Sequence, residues 1–332
     1  MARGDSAAKN TTDLRRARQR ARSVITDIEQ VIIEFLESDG IQIWQNRTAT
    51  PRQRMNRINQ QITLLAARQI QIKLGSWLRD RRKTTMARAA RAAFQDMQGV
   101  LPGTHQDIDL FSSPNLRPRD IALNREMEQI DAALLYNRDT DSIATKIGNE
   151  ATRQIRIGFS QNQPISSTNP DVDTIADRVQ QVLSDADQDT RDAHGITGQT
   201  IRSRAELIAH DSIQDAYVSS ATRRYLNNGF RYAVYDAVVD HRTSHVCRRL
   251  DEVVIDMVET PWLIPPNHPW CRSDIRPILD LGEGQEPISE TDIGDRHLKQ
   301  IWGTNGFRPK VIDTDQEFNP TVLNELLPGA GT

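Results

Sequence analysis

The sequence predicts an α+β fold: a mostly helical N-terminal region, then a small domain of helices packed on a short β-sheet, then an extended C-terminal tail. Three observations carry this. Through about residue 160 the apolar residues recur at three- and four-residue spacing; between Phe230 and Leu279 short runs rich in Tyr, Val and Ile alternate with turns; from Gly282 onward glycine and proline recur with weak apolar periodicity. The division that follows is 1–160, a basic helical region; 161–280, an α+β domain; and 281–332, a tail.

Each element has its own signal. Asp13 to Glu37 reads as a helix, arginine-rich at first and then apolar at Ile25, Ile28, Ile32 and Phe35, with Ser38-Asp39-Gly40 expected to end it. A second helix is expected from near Pro51 past Phe94, on the stripe Met55, Ile58, Ile62, Leu65, Ile72 and Leu78, with Gly75 and the run Arg79 to Lys83 as the place where it would divide. Gly99 to Pro118 reads as a loop. Arg119 to Phe159 reads as a helix striped by Ile121, Met127, Ile130, Leu134 and Leu135. Ser160 to Asn169 reads as a linker, and Asn169-Pro170-Asp171 as the cap and first turn of the next helix. Thr200 to Asn228 is a long helix with small residues Ala205, Ala209, Ser212 and Ala216 on one face, closed by Asn227-Asn228-Gly229. Strands follow at Phe230–Val239, which delivers Asp240, at Val253–Val258 and at Ile275–Leu279; the tail ends in the apolar segment Val322–Leu327.

Composition bounds the function. In 332 residues, 37% hydrophobic content suffices for one or two cores, while 26% charged residues, 5% aromatics and a mean hydropathy of -0.60 indicate a helix-rich chain with much solvated surface. No run approaches the roughly 18 apolar residues of a membrane span, and the N-terminus lacks the apolar core of a secretory signal, so synthesis in the cytoplasm and no membrane partner are expected. The net charge of -3 hides a polarity: residues 1–91 carry 19 Lys+Arg against 8 Asp+Glu, and the remainder 23 against 37. Such segregation implies that the two halves face different partners, and a polyanion would suit the first half.

The chemistry concentrates between Asp240 and Arg272, which holds both cysteines and three of the seven histidines. Cys247, His268 and Cys271 are candidate zinc ligands, thiolate and imidazole, with His268 and Cys271 spaced to converge from one turn. Three are short of four; Asp240, His241 and His245 are the candidates for the fourth. The alternative is that both cysteines are buried small apolar residues and the histidines make ordinary hydrogen bonds.

A strand ending in Asp240, then Arg242-Thr243, Cys247 and Leu250, and later Pro265-Pro266-x-His268-Pro269-x-Cys271-Arg272 before another strand, resembles the C-terminal signature of the phage Mu F-like minor head protein family, also called phage head morphogenesis proteins. The helix Arg204 to Gly229 stands where that family has one, and the resemblance covers roughly residues 198–280. Many members have a cysteine where Ser244 stands, a glycine where Glu252 stands and a cysteine where Ser273 stands. If the family's cysteines bind metal, this chain has lost one or two ligands, so the resemblance favours a proline-rich turn pinned by His268 and Arg272 hydrogen bonds over a zinc site, and no cofactor is expected beyond that one candidate. It implies a bacteriophage virion protein without catalytic activity, made in the host cytoplasm. Its place would be the portal vertex inside the capsid, in several copies, with the portal protein, the major capsid protein and packaged DNA as partners. The role would be head assembly and DNA packaging, retention or ejection.

Non-specific phosphate contacts are expected from Arg15, Arg16, Arg18, Arg20, Arg22, Arg79, Arg81, Arg82, Lys83, Arg88 and Arg91, with no recognition-helix motif beside them. The competing reading is a solvated helix face, or arginines paired with acidic neighbours. An enzyme is the rival function: a metal-dependent nuclease or other hydrolase using His241, His245 or His268. No glutamate is evidently placed as its base, and the His-x-Glu and Pro-Cys-x-x-Cys elements of a zinc deaminase are missing.

Overall fold

A computed structural model describes residues 11–101, 136–169, 171–183, 201–282 and 285–288, the side chains of 136–142 excepted. The elements in chain order are α1 (Thr11–Phe35), α2 (Ile41–Gln45), α3 (Pro51–Gln69), α4 (Ser76–Val100), α5 (Tyr136–Ser160), α6 (Ile175–Leu183), α7 (Ile201–Asn227), β1 (Tyr232–Asp236), α8 (His245–Leu250), β2 (Val254–Asp256) and β3 (Asp274–Ile278). The class is α+β.

The helix expected to stop at Ser38-Asp39-Gly40 does not. It passes through a π-helical turn, Leu36–Gly40, into α2, and Gly40 is buried with helical dihedrals. A second π-helical turn, Ile70–Gly75, joins α3 to α4 where the sequence suggested a division. Both turns have one cause. The buried residues step by four, at Ile32, Leu36 and Gly40 and at Ile58, Ile62, Ala66, Ile70, Leu74 and Leu78. In a regular α-helix a strict four-residue repeat drifts about 40° per step, and a wider i→i+5 turn takes up the drift. Ile72, expected in the stripe, is consequently 55% exposed.

Caps set the other boundaries. Thr50 and Gln53 form a reciprocal capping box ahead of Pro51. Asn169 makes a local turn to Asp171 N–H instead of starting a helix; α6 begins at Ile175, where Thr174 and Asp177 cap each other. The stretch expected as a linker packs on α6: Ile175 N–H donates to Pro164 O and Ala176 N–H to Ile165 O, each at 2.9 Å. At the end of α7, Gly229 has φ 82°, with Phe230 N–H donating to Tyr225 O and Gly229 N–H donating to Leu226 O, the pair of hydrogen bonds that a left-handed glycine permits. Gly99 and Val100, expected to open a loop, still belong to α4, whereas the remainder of that loop from residue 102 to Pro118, the stripe Ile121 to Leu135, and the tail beyond Ile288 lie outside the described residues.

The chain divides into two compact units assembled from separated segments. One comprises residues 16–79 and 135–209. Within it α3 packs on α5 and α5 on α6. Gly148 lets Thr63 approach so closely that a Cβ would stand 2.0 Å from its Oγ1, and Trp44 stacks on Phe159 at 4.3 Å.

The other comprises residues 1–15, 80–134 and 210–332. Its core runs from Ala89, Ala93, Phe94 and Met97 of α4 through Tyr217, Ala221 and Tyr225 of α7 to one face of the sheet, where Ala233, Tyr235, Ile255 and Ile275 are buried. The sheet is antiparallel in the order β2-β1-β3, with Ala233 opposite Ile255 on one side and Pro277 on the other.

Candidate functional site

β1 is shorter than its sequence suggested, ending at Asp236, and an ordered loop carries the chain to Asp240. Asp240 Oδ1 accepts Arg242 N–H at 2.8 Å, Asp240 N–H donates to Thr243 Oγ1 at 2.7 Å, and Thr243 Oγ1 donates to Val238 O. The Arg-Thr pair therefore serves the backbone turn, and the Arg242 side chain is exposed. From the far arm, Arg272 donates both terminal nitrogens to the Asp240 carboxylate. That contact, then its local hydrogen bonds, holds the Asp240 carboxyl well below the usual carboxylate range.

Ser244 caps α8, its Oγ accepting Cys247 N–H at 3.2 Å. This turns Cys247 Sγ into the core, where it lies 3.7 Å from Cys271 Sγ and 2.9 Å from His268 Nε2. Ser244 Oγ is also 2.8 Å from His268 Nε2, and His268 Nδ1 donates to Pro269 O at 2.7 Å. The Pro265-Pro266 bond is cis, both rings are buried, and Cys271 N–H bonds His268 O at 3.2 Å. His268 is thus the hinge pin of the segment.

The electrostatics follow from the contacts. Hydrogen bonding from Cys271, outweighing burial and joined by His268 and Ser244, lowers the Cys247 thiol; the same contact and burial raise Cys271. For His268, burial works downward but the Cys247 sulfur and the Pro269 carbonyl outweigh it, and the ring's affinity for its proton rises.

Cys247, His268 and Cys271 have their ligand atoms within 4.8 Å of one another. The suggested fourth ligands do not join them. Asp240 is engaged by Arg272, while His241 and His245 are exposed at the outside of the turn and of α8. Ser244 occupies that side instead, for the plain reason that a capping residue must face the first turn of its helix.

Sequence reasoning missed several supports. Tyr235 Oη contacts Cys247 Sγ at 3.3 Å and accepts Asn267 Nδ2 at 3.2 Å. On α7, Gln214 Nε2 donates to Ser273 O at 2.7 Å and Asp211 Oδ1 accepts Trp270 N–H at 3.2 Å, while His210 packs against the Trp270 ring. The available signal was that polar residues, His210, Asp211 and Gln214, are buried on the side of the helix opposite Ala205, Ala209 and Ala216.

The arginines divide by environment. Arg15, Arg16, Arg79, Lys83 and Arg91 are exposed, and Arg18 is half-buried. Arg20 donates to Lys73 O, and Arg22 pairs with Glu206 at 2.6 Å. Arg81 and Arg88 converge on Asp13, which is fully buried and also accepts Thr85 Oγ1. Arg82 is a correction to the expected phosphate contacts: it is 1% exposed, because it follows Leu78 by four on the core face of α4. Charge segregated along the sequence is thus partly rejoined in the fold.

The strand-turn-helix ending in Asp240 and Cys247, clamped to a diproline segment by Arg272 and His268, is the geometry the signature encodes. Residues 165–276 match the family model of phage Mu protein F like proteins. The Mu F-like segment begins at Ile165, ahead of the resemblance read from the motif, and takes in α6, α7, the first two strands and most of β3. The family is one of phage head proteins, so the match points to bacteriophage head morphogenesis, to the virion and to capsid-related partners, in a structural capacity. Searches of the curated proteins and of the solved structures gave no match. No described helix is long and apolar enough to cross a membrane.

Proposed function

We propose that this chain is a minor head protein of a tailed bacteriophage, bound to the portal protein on the capsid interior in several copies, assisting head assembly and DNA packaging, retention or ejection without catalysis. The observation that carries this is the Mu F-like match over a segment whose reactive groups are engaged with one another. Asp240 is held by Arg272, and His268 by Cys247, Ser244 and Pro269, an arrangement suited to a fixed scaffold more than to a substrate. The exposed cations Arg15, Arg16, Arg79, Lys83 and Arg91 supply charge for packaged DNA without base readout, and the major capsid protein is a further partner.

The test is coexpression with the portal protein of the same phage, followed by sedimentation and a reconstruction of the portal vertex. The chain is expected to cosediment with portal rings, and purified protein to leave DNA intact with added magnesium, manganese or zinc. DNA cleavage that a folded His268→Ala variant loses would overturn the structural reading in favour of the hydrolase.

A further inference from the structure

We infer that Cys247, His268 and Cys271 bind one zinc ion, with Ser244 Oγ at the fourth position, and that the ion fastens the first turn of α8 to the segment following Pro266. The inference rests on the site's own geometry and stands apart from the head-protein reading.

The separation of the two sulfurs is the first support. Tetrahedral zinc with bonds of about 2.3 Å to each sulfur sets two thiolates about 3.8 Å apart. Cys247 and Cys271 stand 3.7 Å apart, both buried and both free thiols. A disulfide would require them to close to about 2.05 Å. Two thiolates and an imidazole are a donor set that selects zinc over the hard cations magnesium and calcium.

The surroundings of the ligands give an independent second support. A carbonyl oxygen only accepts, so the 2.7 Å contact with Pro269 O places a proton on His268 Nδ1 and turns Nε2 toward the sulfurs. A histidine ligand whose other ring nitrogen donates to a backbone carbonyl is the usual outer support of a metal site. Tyr235 Oη lies behind Cys247. His268 is half-buried where the cysteines are buried, so the imidazole side is the path of entry, and binding releases the thiol protons.

Ser244 determines the character of the site. Its Oγ is 2.8 Å from His268 Nε2 and is fixed as the cap of α8, so it adjoins the cluster without a free rotor. A neutral hydroxyl is a weaker zinc ligand than a thiolate. Ser244→Cys, which leaves the other three ligands untouched, should therefore complete a Cys3His set.

The experiment uses the full chain, purified with reductant and titrated with cobalt(II) and then with zinc. The wild type should take up one equivalent of cobalt with a thiolate-to-cobalt absorption band that zinc bleaches, and S244C should tighten zinc binding at least about tenfold. S244C keeps the test readable even where replacing Cys271 or His268 prevents folding. Retention of less than about a tenth of an equivalent of zinc at saturation, or cobalt binding without the thiolate band, would overturn the site. An unchanged affinity in S244C would overturn the assignment of the fourth position. A chain that takes up no zinc yet still cosediments with portal rings would sink this inference and leave the head-protein reading standing.

Discussion

Arg272 meets Asp240 through two parallel hydrogen bonds of 2.7 and 2.8 Å across 32 residues of sequence, joining the turn after β1 to the approach of β3. A planar guanidinium matches a carboxylate in this way, and a lysine does not.

The pH dependence of that clamp has a definite sign. Asp240 titrates lower in the folded chain than its ordinary value of 3.8, so its contribution is fully present above 3.8 and is lost as pH falls below that toward the folded value. Thermal melts of Asp240→Asn are expected to lie below wild type at neutral pH, with the gap narrowing below 3.8. A gap of constant size down to strong acid would show that the fork contributes nothing to stability.

Glu252 has φ 63°, in the left-handed region, two residues before the start of β2. Glutamate is strained there and glycine is not, while glycine adds freedom to the unfolded chain. Glu252→Gly is expected to stabilise by about 0.5–1 kcal/mol, read from chemical denaturation at pH 7. Destabilisation would mean that the Glu252 side-chain contacts outweigh the backbone.

Burial pushes the Glu29 carboxyl from 4.5 up to about 7, against the pull of Arg202. The folded state therefore holds a proton that the unfolded state has released, and stability contributed by protonated Glu29 declines as pH rises from 4.5 to about 7. Glu29→Gln should flatten that decline; a denaturation series in which both proteins keep the same slope would contradict it.

Gly148 on α5 leaves no room for a side chain beside Thr63 of α3. Alanine is the better helix former, yet overpacking costs about 1–3 kcal/mol against a propensity gain of roughly 1 kcal/mol. Gly148→Ala is expected to lower the midpoint of thermal unfolding, whereas Thr63→Ala, which removes the hydroxyl that the new Cβ would meet, should recover part of the loss when combined with it.

Much of this was legible in the residues. The helical face of Ala205, Ala209 and Ala216, the Asn-Gly closure and the three β-rich runs correspond to α7, its left-handed end and the sheet. The helix ends were less so. Gly40 and Gly75 read as breakers, but in a chain whose buried residues step by four they are the small residues of π-helical turns. At the site, Cys247, His268 and Cys271 were visible by type and spacing. Ser244 was not identified as their neighbour, because its proximity comes from capping α8 and from the fold of a segment more than twenty residues away. Arg82 misled for a similar reason: a charge in a basic run looks solvated until the four-residue repeat puts it on the core face.

Pro277 sits opposite Ala233 on the outer strand β3. Since Tyr235 uses its N–H and C=O toward the β2 side, Ala233, of the same parity, does likewise, and the ring nitrogen of Pro277 points away from the sheet. Among the described residues β3 is an outer strand of the sheet, and its outer margin lacks a donor in its middle, so an added strand cannot pair along it without a gap. An extended strand approaching from outside is in this way denied a continuous ladder along that side of the sheet.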